Sequence, residues 1–338
     1  MLKGSETIQV ESARLNIETV NEDFVGRNLP QLLGQVFGNQ LQSDGYQIIK
    51  QKRDYLVLHV RLRRPPLEIV VKLAGPTAPI ACPFDRTALL HQLVANRTSI
   101  VMPEILAVDV SYQSWPFRYM IKEYIRGSEW SVIRQTLNQD ELQSNYREIG
   151  AAVAQLHQIH FPAFGEIHFP EITSGDIPQA GFIENDRTLP AALGERAAAY
   201  IKDPVYIDFF LSVLNRYSDL FLDVRQASLC HEDLHGYNIL FSQEVQGWRL
   251  ATILDFDKAW AGHSESDLAR LDLWRNMTSP AFWEAYTEIH SLSPSYQQRR
   301  AIYQLFWCLE FAQPTQQHLA DTRLVCRELG VSLPKEFE

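Results

Sequence analysis

Between His231 and Asn238 the chain reads His-Glu-Asp-Leu-His-Gly-Tyr-Asn, and Asp255 follows in the run Leu-Asp-Phe-Asp. Phosphoryl transfer needs a carboxylate beside the attacking group and oxygen ligands that hold Mg²⁺ against nucleotide phosphates. Asp233, Asn238 and Asp255 have the right chemistry for those three tasks. The residues between the last two read as a hairpin, with strands Asn238–Phe241 and Trp248–Leu254 around a turn containing Gln and Gly. Its returning strand brings Asp255 back beside the start of the strand that follows Asn238. Two hard oxygen ligands separated by seventeen positions are thereby brought together. His231 and His235 read as residues that shape the loop by hydrogen bonding, since zinc would want further His or Cys ligands nearby. Asp267 reads as the N-cap and anchor of a following helix. Asp257 is open between a second metal ion, a substrate contact and a solvated position.

Such a loop has to be positioned by a scaffold, and the apolar periodicity outlines one. Residues 28–38 predict a short helix started by Asn28 and Pro30. Strands follow at Tyr46–Lys50, Tyr55–Leu62 and Leu67–Leu73, then a helix over 85–96 with Leu89, Leu90, Leu93 and Val94 on one face. Two more strands, Ile105–Val110 and Phe117–Ile125, lead to Gly127, where the pattern breaks. Beyond it, residues 140–160 place Leu142, Tyr146, Ile149, Val153, Leu156 and Ile159 at helical steps. Residues 267–274, 280–291 and 295–312 continue in that spacing. The expected class is therefore α+β: a five-stranded antiparallel sheet with one helix over 1–127, then a mainly helical lobe over 128–338 carrying the small hairpin.

This order and these motifs resemble the aminoglycoside phosphotransferase and choline kinase-like family, whose catalytic loop reads H-x-D-x-x-x-x-N. The resemblance runs from about Asp44 to Trp307. It implies a two-lobed protein-kinase-like fold and an ATP- and Mg²⁺-dependent small-molecule kinase, with the first lobe binding the nucleotide and the second the acceptor. It also implies that Asp233 is catalytic, that Asn238 and Asp255 hold Mg²⁺, and that Lys72 contacts the α- and β-phosphates. Met120–Gly127 is similar to the family's hinge, whose backbone at Glu123, Tyr124 and Ile125 would pair with adenine. Two positions depart from the pattern. Arg86 stands where the family's helix supplies a Glu to the strand Lys, with Asp85 one residue away. The turn Lys50-Gln51-Lys52-Arg53-Asp54, where backbone amides would cradle phosphate, has no glycine.

Composition narrows the partners. At 338 residues and 46% hydrophobic, the chain is long enough for two cores. With no long apolar run and a polar start, it is expected in the cytoplasm, away from membranes. Four scattered cysteines suggest neither disulfides nor zinc. A net charge of −10 argues against nucleic acid as a partner. Residues 1–127 carry 15 Lys and Arg against 12 Asp and Glu, and the rest carries 16 against 29. That asymmetry suits a polyanion in the first part and a cationic acceptor in the second. Trp260, Trp307 and Glu310, with Asp257, are the candidate acceptor-binding residues, because aromatic faces and carboxylates together suit an ammonium group. The acceptor would be a small polar molecule offering a hydroxyl or amine, with aminoglycoside-like antibiotics and amino alcohols among the options. Asp255 and Asp267 are only twelve positions apart, too close for the activation segment of a protein kinase. The competing reading is a non-catalytic kinase-like protein that binds nucleotide or serves as an interaction module. Oligomeric state and the choice of ATP over GTP are not encoded in these patterns.

Overall fold

The computed structural model describes residues 19–38, 40–78, 83–169, 187–245, 247–274, 276–311 and 314–333. They fall into two compact units. One is built from the chain up to His91 together with Met102–Arg126, and the other from Gln92–Val101 together with the chain from Gly127 on.

The first unit begins with α1, Glu22–Phe37, which starts earlier than the sequence suggests. Asn21 caps it by accepting from the Phe24 amide at 2.9 Å, and Glu22 and Asp23 complement the dipole of its first turn. Asn28 instead donates from inside the helix to the Phe24 carbonyl, and Pro30 also lies inside. The apolar stripe of Phe24, Val25, Leu29, Leu32 and Leu33 reaches back to Asn21, so burial carries the helix through the proline.

The sheet is β1 (Gln42–Lys52), β2 (Tyr55–Arg64), β3 (Leu67–Ala74), β4 (Ile105–Asp109) and β5 (Arg118–Glu123), in the order β1-β2-β3-β5-β4 and antiparallel throughout. Its central strands are buried on both faces. Leu56, Leu58, Val60 and Leu62 join the α1 residues in one core. Tyr55 and Val57 join Met120 and Phe84, which opens α2 (Phe84–Arg97), in another. Lys72 pairs across the sheet with Val57 and Met120, so its side chain leaves the sheet on the second of these faces. It is 7% exposed.

The second unit has β6 (Ser128–Glu129), a one-turn helix α3 (Trp130–Ile133) and α4 (Gln139–His157), the last closed by a capping box of Asn138 and Glu141. Helices α5 (Leu189–Tyr200), α6 (Pro204–Arg216), α7 (Glu265–Leu273), α8 (Pro280–Ile289), α9 (Tyr296–Leu309) and α10 (Gln316–Glu328) complete its helical part. Gly150 lets α4 approach α8 closely, since a Cβ there would lie 2.3 Å from the Phe282 carbonyl oxygen. The expected hairpin is present as β9 (Ile239–Glu244) and β10 (Gly247–Ile253), with β6 added at its edge. A further small sheet joins β7 (His160–Phe161), β8 (Ala227–Cys230) and β11 (Trp260–Gly262). Strands this short carry too little periodicity to be seen in sequence. Among the described residues, no helix is long and apolar enough to cross a membrane.

Candidate active site

The fully buried strand β8 runs directly into His231, and β9 leaves from Asn238, so the loop between them hangs from two fixed points. His231 shapes it from within. Its Nε2 donates to the Leu254 carbonyl at 2.8 Å, and its Nδ1 accepts from the Asp233 amide at 3.1 Å. The two bonds select the tautomer with the proton on Nε2.

Asp267 fixes the loop from outside. The sequence reading has it capping a helix, but it lies within the first turn of α7 and turns its carboxylate to the loop. Oδ2 accepts from the His231 amide and Oδ1 from the Glu232 amide, each at 2.7 Å. His157 Nε2 donates to Oδ2 at 3.2 Å, leaving Nδ1 to accept from the Tyr286 hydroxyl at 2.8 Å. Burial works against the Asp267 charge, but the His157 bond, that ring's charge when protonated and the His231 amide hold its pKa below the usual aspartate range. The clamp grips the residue whose backbone needs it, because Glu232 sits at φ 63° in the left-handed region.

Asn238 closes the far end. Its Nδ2 donates to the Asp233 carbonyl at 2.9 Å, which leaves Oδ1 as the atom able to face a cation. Its backbone carbonyl accepts from the Leu254 amide at 2.8 Å, and Ile253 pairs with Ile239. The hairpin therefore delivers Asp255 one residue past that bond, as its sequence implies. Asp255 also adopts a left-handed conformation, φ 69° and ψ 59°, before the short turn Phe256–Lys258.

The surroundings of Asp233 are strongly ionic. Arg270 Nη2 donates to Asp233 Oδ1 at 3.0 Å, and Lys258 Nζ stands 3.7 Å from the same oxygen. Glu310 balances both cations, with Oε2 3.5 Å from Lys258 Nζ and 3.9 Å from Arg270 Nη1. Burial, more than the neighbouring Asp233 charge, sets His235 and lowers its pKa. Behind the loop, Glu232 accepts from the Trp260 indole N–H at 2.8 Å, and burial pushes its carboxyl up to about 7.

The structure thus gathers Asp233, Asn238 and Asp255 on one loop and hairpin, with Glu310 beside the Asp233 cations. The tryptophans are placed differently from a ligand cage. Trp260 is 1% exposed, with its nitrogen on Glu232 and its ring 4.7 Å from the Arg196 guanidinium. Trp307 is equally buried, with the Arg270 guanidinium 3.7 Å over its ring. The protein's own arginines hold the faces that an ammonium would need. Asp257 is half-buried in the short turn before Lys258. Arg270 and Lys258 were not among the residues singled out from sequence. Arg270 follows Asp267 by three positions, the spacing that puts two side chains on one helix face.

The first unit holds the remaining candidates. Two of the three hinge amides are already used: Glu123 donates to the Glu104 carbonyl at 2.8 Å and Tyr124 to the Glu68 carbonyl at 2.9 Å. Of the three, the Ile125 amide alone makes no such backbone bond. The glycine-free turn between β1 and β2 is a tight two-residue connection, not an open loop. Asp54 occupies its left-handed position at φ 55° and accepts from the Val20 amide, the Thr77 amide and the Thr77 hydroxyl. Its backbone also accepts from Gly75, where a Cβ would fall 1.9 Å from Asp54 Oδ1.

Among the described residues, no group of three or more His, Cys, Asp or Glu could by itself hold a metal ion. A pair of oxygen donors such as Asn238 and Asp255 fits Mg²⁺, which takes one or two protein ligands and completes its octahedron with phosphate and water.

The model of the phosphotransferase enzyme family matches residues 47–302. No curated protein matches the chain. Among solved structures, a Ralstonia eutropha protein assigned to the aminoglycoside phosphotransferases aligns over 90% of this chain and 95% of its own, at 12% identity and TM-score 0.61. Plasmodium vivax ethanolamine kinase aligns over 100% and 98%, at 13% identity and TM-score 0.57. The ADP-bound aminoglycoside phosphotransferase APH(2″)-Ib aligns over 90% and 99%, at 14% identity and TM-score 0.52. With its protein-kinase-like α+β fold, the chain belongs to the phosphotransferase enzyme family.

Proposed function

We propose that the protein transfers the γ-phosphate of ATP to a hydroxyl of a small molecule, with Asp233 as the group that orients and deprotonates that hydroxyl. One observation carries this reading. The backbone of the His231–Asn238 loop is fixed at both ends, by Asp267 and by the Leu254–Asn238 bond, while the Asp233 carboxylate remains 20% exposed. A carboxylate presented on an immobile loop is what a reaction run mainly by positioning requires.

In the proposed reaction the acceptor oxygen bonds to the γ-phosphorus as the bond from that phosphorus to the bridging oxygen breaks. ADP leaves, and the hydroxyl proton passes to Asp233. Arg270 holds Oδ1, so Oδ2 is the oxygen offered to the hydroxyl. Asn238 and Asp255 are proposed as the Mg²⁺ ligands; the bound ion would neutralise phosphate charge. For Lys72 the proposed role is contact with the phosphates, and for the Ile125 amide it is contact with adenine. The ADP found in one structural relative is consistent with these roles.

Asp233→Asn tests the reading, since the amide keeps the shape of the side chain but cannot take the proton. Turnover on an acceptor found by an ATP-consumption screen should fall by about 10²–10⁴. ATP affinity by calorimetry should stay unchanged. Full activity in that variant would sink the assignment.

A further inference from the structure

Helix α5 turns two side chains of one face, Arg196 and Tyr200, toward Lys258. Arg196 is 3% exposed and directs its donors to fixed points. Nη1 donates to Glu166 Oε1 and Nη2 to the Lys258 carbonyl, each at 2.5 Å. Nε, the remaining donor, has Glu232 Oε2 at 3.9 Å, where charge is felt but no hydrogen bond forms. The guanidinium also lies 4.7 Å from the Trp260 ring and 4.5 Å from the Tyr200 ring. A planar fork with partners on several sides keeps its own place and holds the groups it donates to.

Lys258 is gripped at both ends. Its carbonyl accepts the charge-assisted bond from Arg196, and such bonds are about twice as strong as neutral ones. Its ammonium stands 5.9 Å from the Tyr200 ring, 3.7 Å from Asp233 Oδ1 and 3.5 Å from Glu310 Oε2. Trp307 offers a second ring at 5.8 Å. These rings and carboxylates surround a flexible stem that would otherwise carry the ammonium into water. The side chain is still 33% exposed, so screening leaves each ion pair weak and the backbone anchor matters more. Arg270 and this ammonium share Oδ1 of Asp233, which leaves Oδ2 to the acceptor.

The geometry points to Arg196 and Tyr200 as positioning residues for the reaction: helix α5 holds Lys258, and Lys258 with Arg270 holds the Asp233 carboxylate in one orientation. The inference rests on the reading of Asp233 as the group that receives the hydroxyl proton. It differs in one respect from a role for α5 in stability alone. The effect of Arg196 on turnover passes through the Lys258 ammonium, so removing the ammonium removes the effect.

Arg196→Gln, Lys258→Ala and the double variant form a cycle that tests it. ADP formation is measured with an acceptor from the ATP-consumption screen and also with water alone. Each single variant should lower kcat by about 10–10², the cost of a misplaced group, with KM for ATP within about twofold of the native value. The double variant should be no slower than Lys258→Ala. Acetylation of Lys258 by acetic anhydride, read by peptide mass spectrometry, gives a second measure that needs no turnover. It should run about two- to fivefold faster in Arg196→Gln, the range that loosened, partly exposed ion pairs allow. Should that variant fail to fold, Tyr200→Leu removes the ring from a half-buried position and should speed labelling in the same way, and Tyr200→Phe should restore the native rate. Provided Asp233→Asn is impaired, full turnover in Arg196→Gln or Lys258→Ala would overturn the proposal, as would losses that multiply in the double variant. Unchanged labelling of Lys258 would overturn it whatever the turnover. If Asp233→Asn instead keeps full activity, faster labelling still upholds the grip of α5 on Lys258, and the reading of Asp233 is what fails.

Discussion

Two buried aspartates, one in each unit, do the same physical work with different consequences. Asp54 sits in a left-handed turn and ties that turn to Val20 and Thr77 through its own side chain. Asp267 stands on α7 and ties down Glu232, a left-handed residue 35 positions away. Each supplies acceptors to backbone amides that would otherwise be buried unpaired. In the first case the constraint is local and the turn is an end in itself. In the second, the constrained backbone leads straight into Asp233, so the same kind of hydrogen bonding becomes part of a site. The difference teaches that a strained backbone carries functional meaning through what it presents.

The largest effect is expected from Asp267→Ala, which strands the His231 and Glu232 amides in the interior. The loss should be about 3 kcal/mol or more in urea unfolding. Turnover of the folded remainder should drop by about 10², the consequence of displacing Asp233, the proposed catalytic group. Wild-type turnover in a destabilised Asp267→Ala protein would erase the contrast, reducing this clamp to the status of the other. Asp54→Ala comes next, at about 2 kcal/mol from two lost amide acceptors and an alanine held in the left-handed region. Here only the unfolding midpoint should move; a fall in kcat would show that the β1–β2 turn also shapes the reaction.

The smallest effect is a pH dependence. Glu232 holds its proton up to about 7 in the folded chain, against 4.5 for the ordinary side chain. Between those values the folded state binds more protons than the unfolded one, so this group makes stability fall as pH rises through the window. Glutamine stays neutral. In Glu232→Gln the melting temperature should therefore lose that decline, and the gap over wild type should widen from pH 4.5 to about 7. Asp267, whose pKa is lowered, acts in the opposite sense: its contribution is present above 3.8 and is lost in more acid solution, outside this window. A constant gap would mean that Glu232 is ionised throughout.

Much of this was legible in the sequence because it depends on short-range pattern. The five strands of the first unit and the β9–β10 hairpin follow from alternation and turn chemistry. Asp233, Asn238 and Asp255 could be paired in space because a hairpin returns the chain to its starting point. The start of α1 was misplaced because Asn28 and Pro30 imitate a helix start, whereas buried Phe24 and Val25 extend the helix back to Asn21. Strands of two to four residues, such as β6, β7, β8 and β11, have no period to detect.

The sequence alone determined the chemistry on offer, since residue types and spacing along one loop and one hairpin are local properties that survive without knowledge of the fold. Tertiary structure decided what surrounds that chemistry. Arg270 and Lys258 arrive at Asp233 from positions 37 and 25 residues downstream, and Trp307 turns its face to Arg270 instead of a ligand. The influence of one charge on a carboxylate weakens as their separation in space grows. Distance along the chain says nothing about which groups come that near.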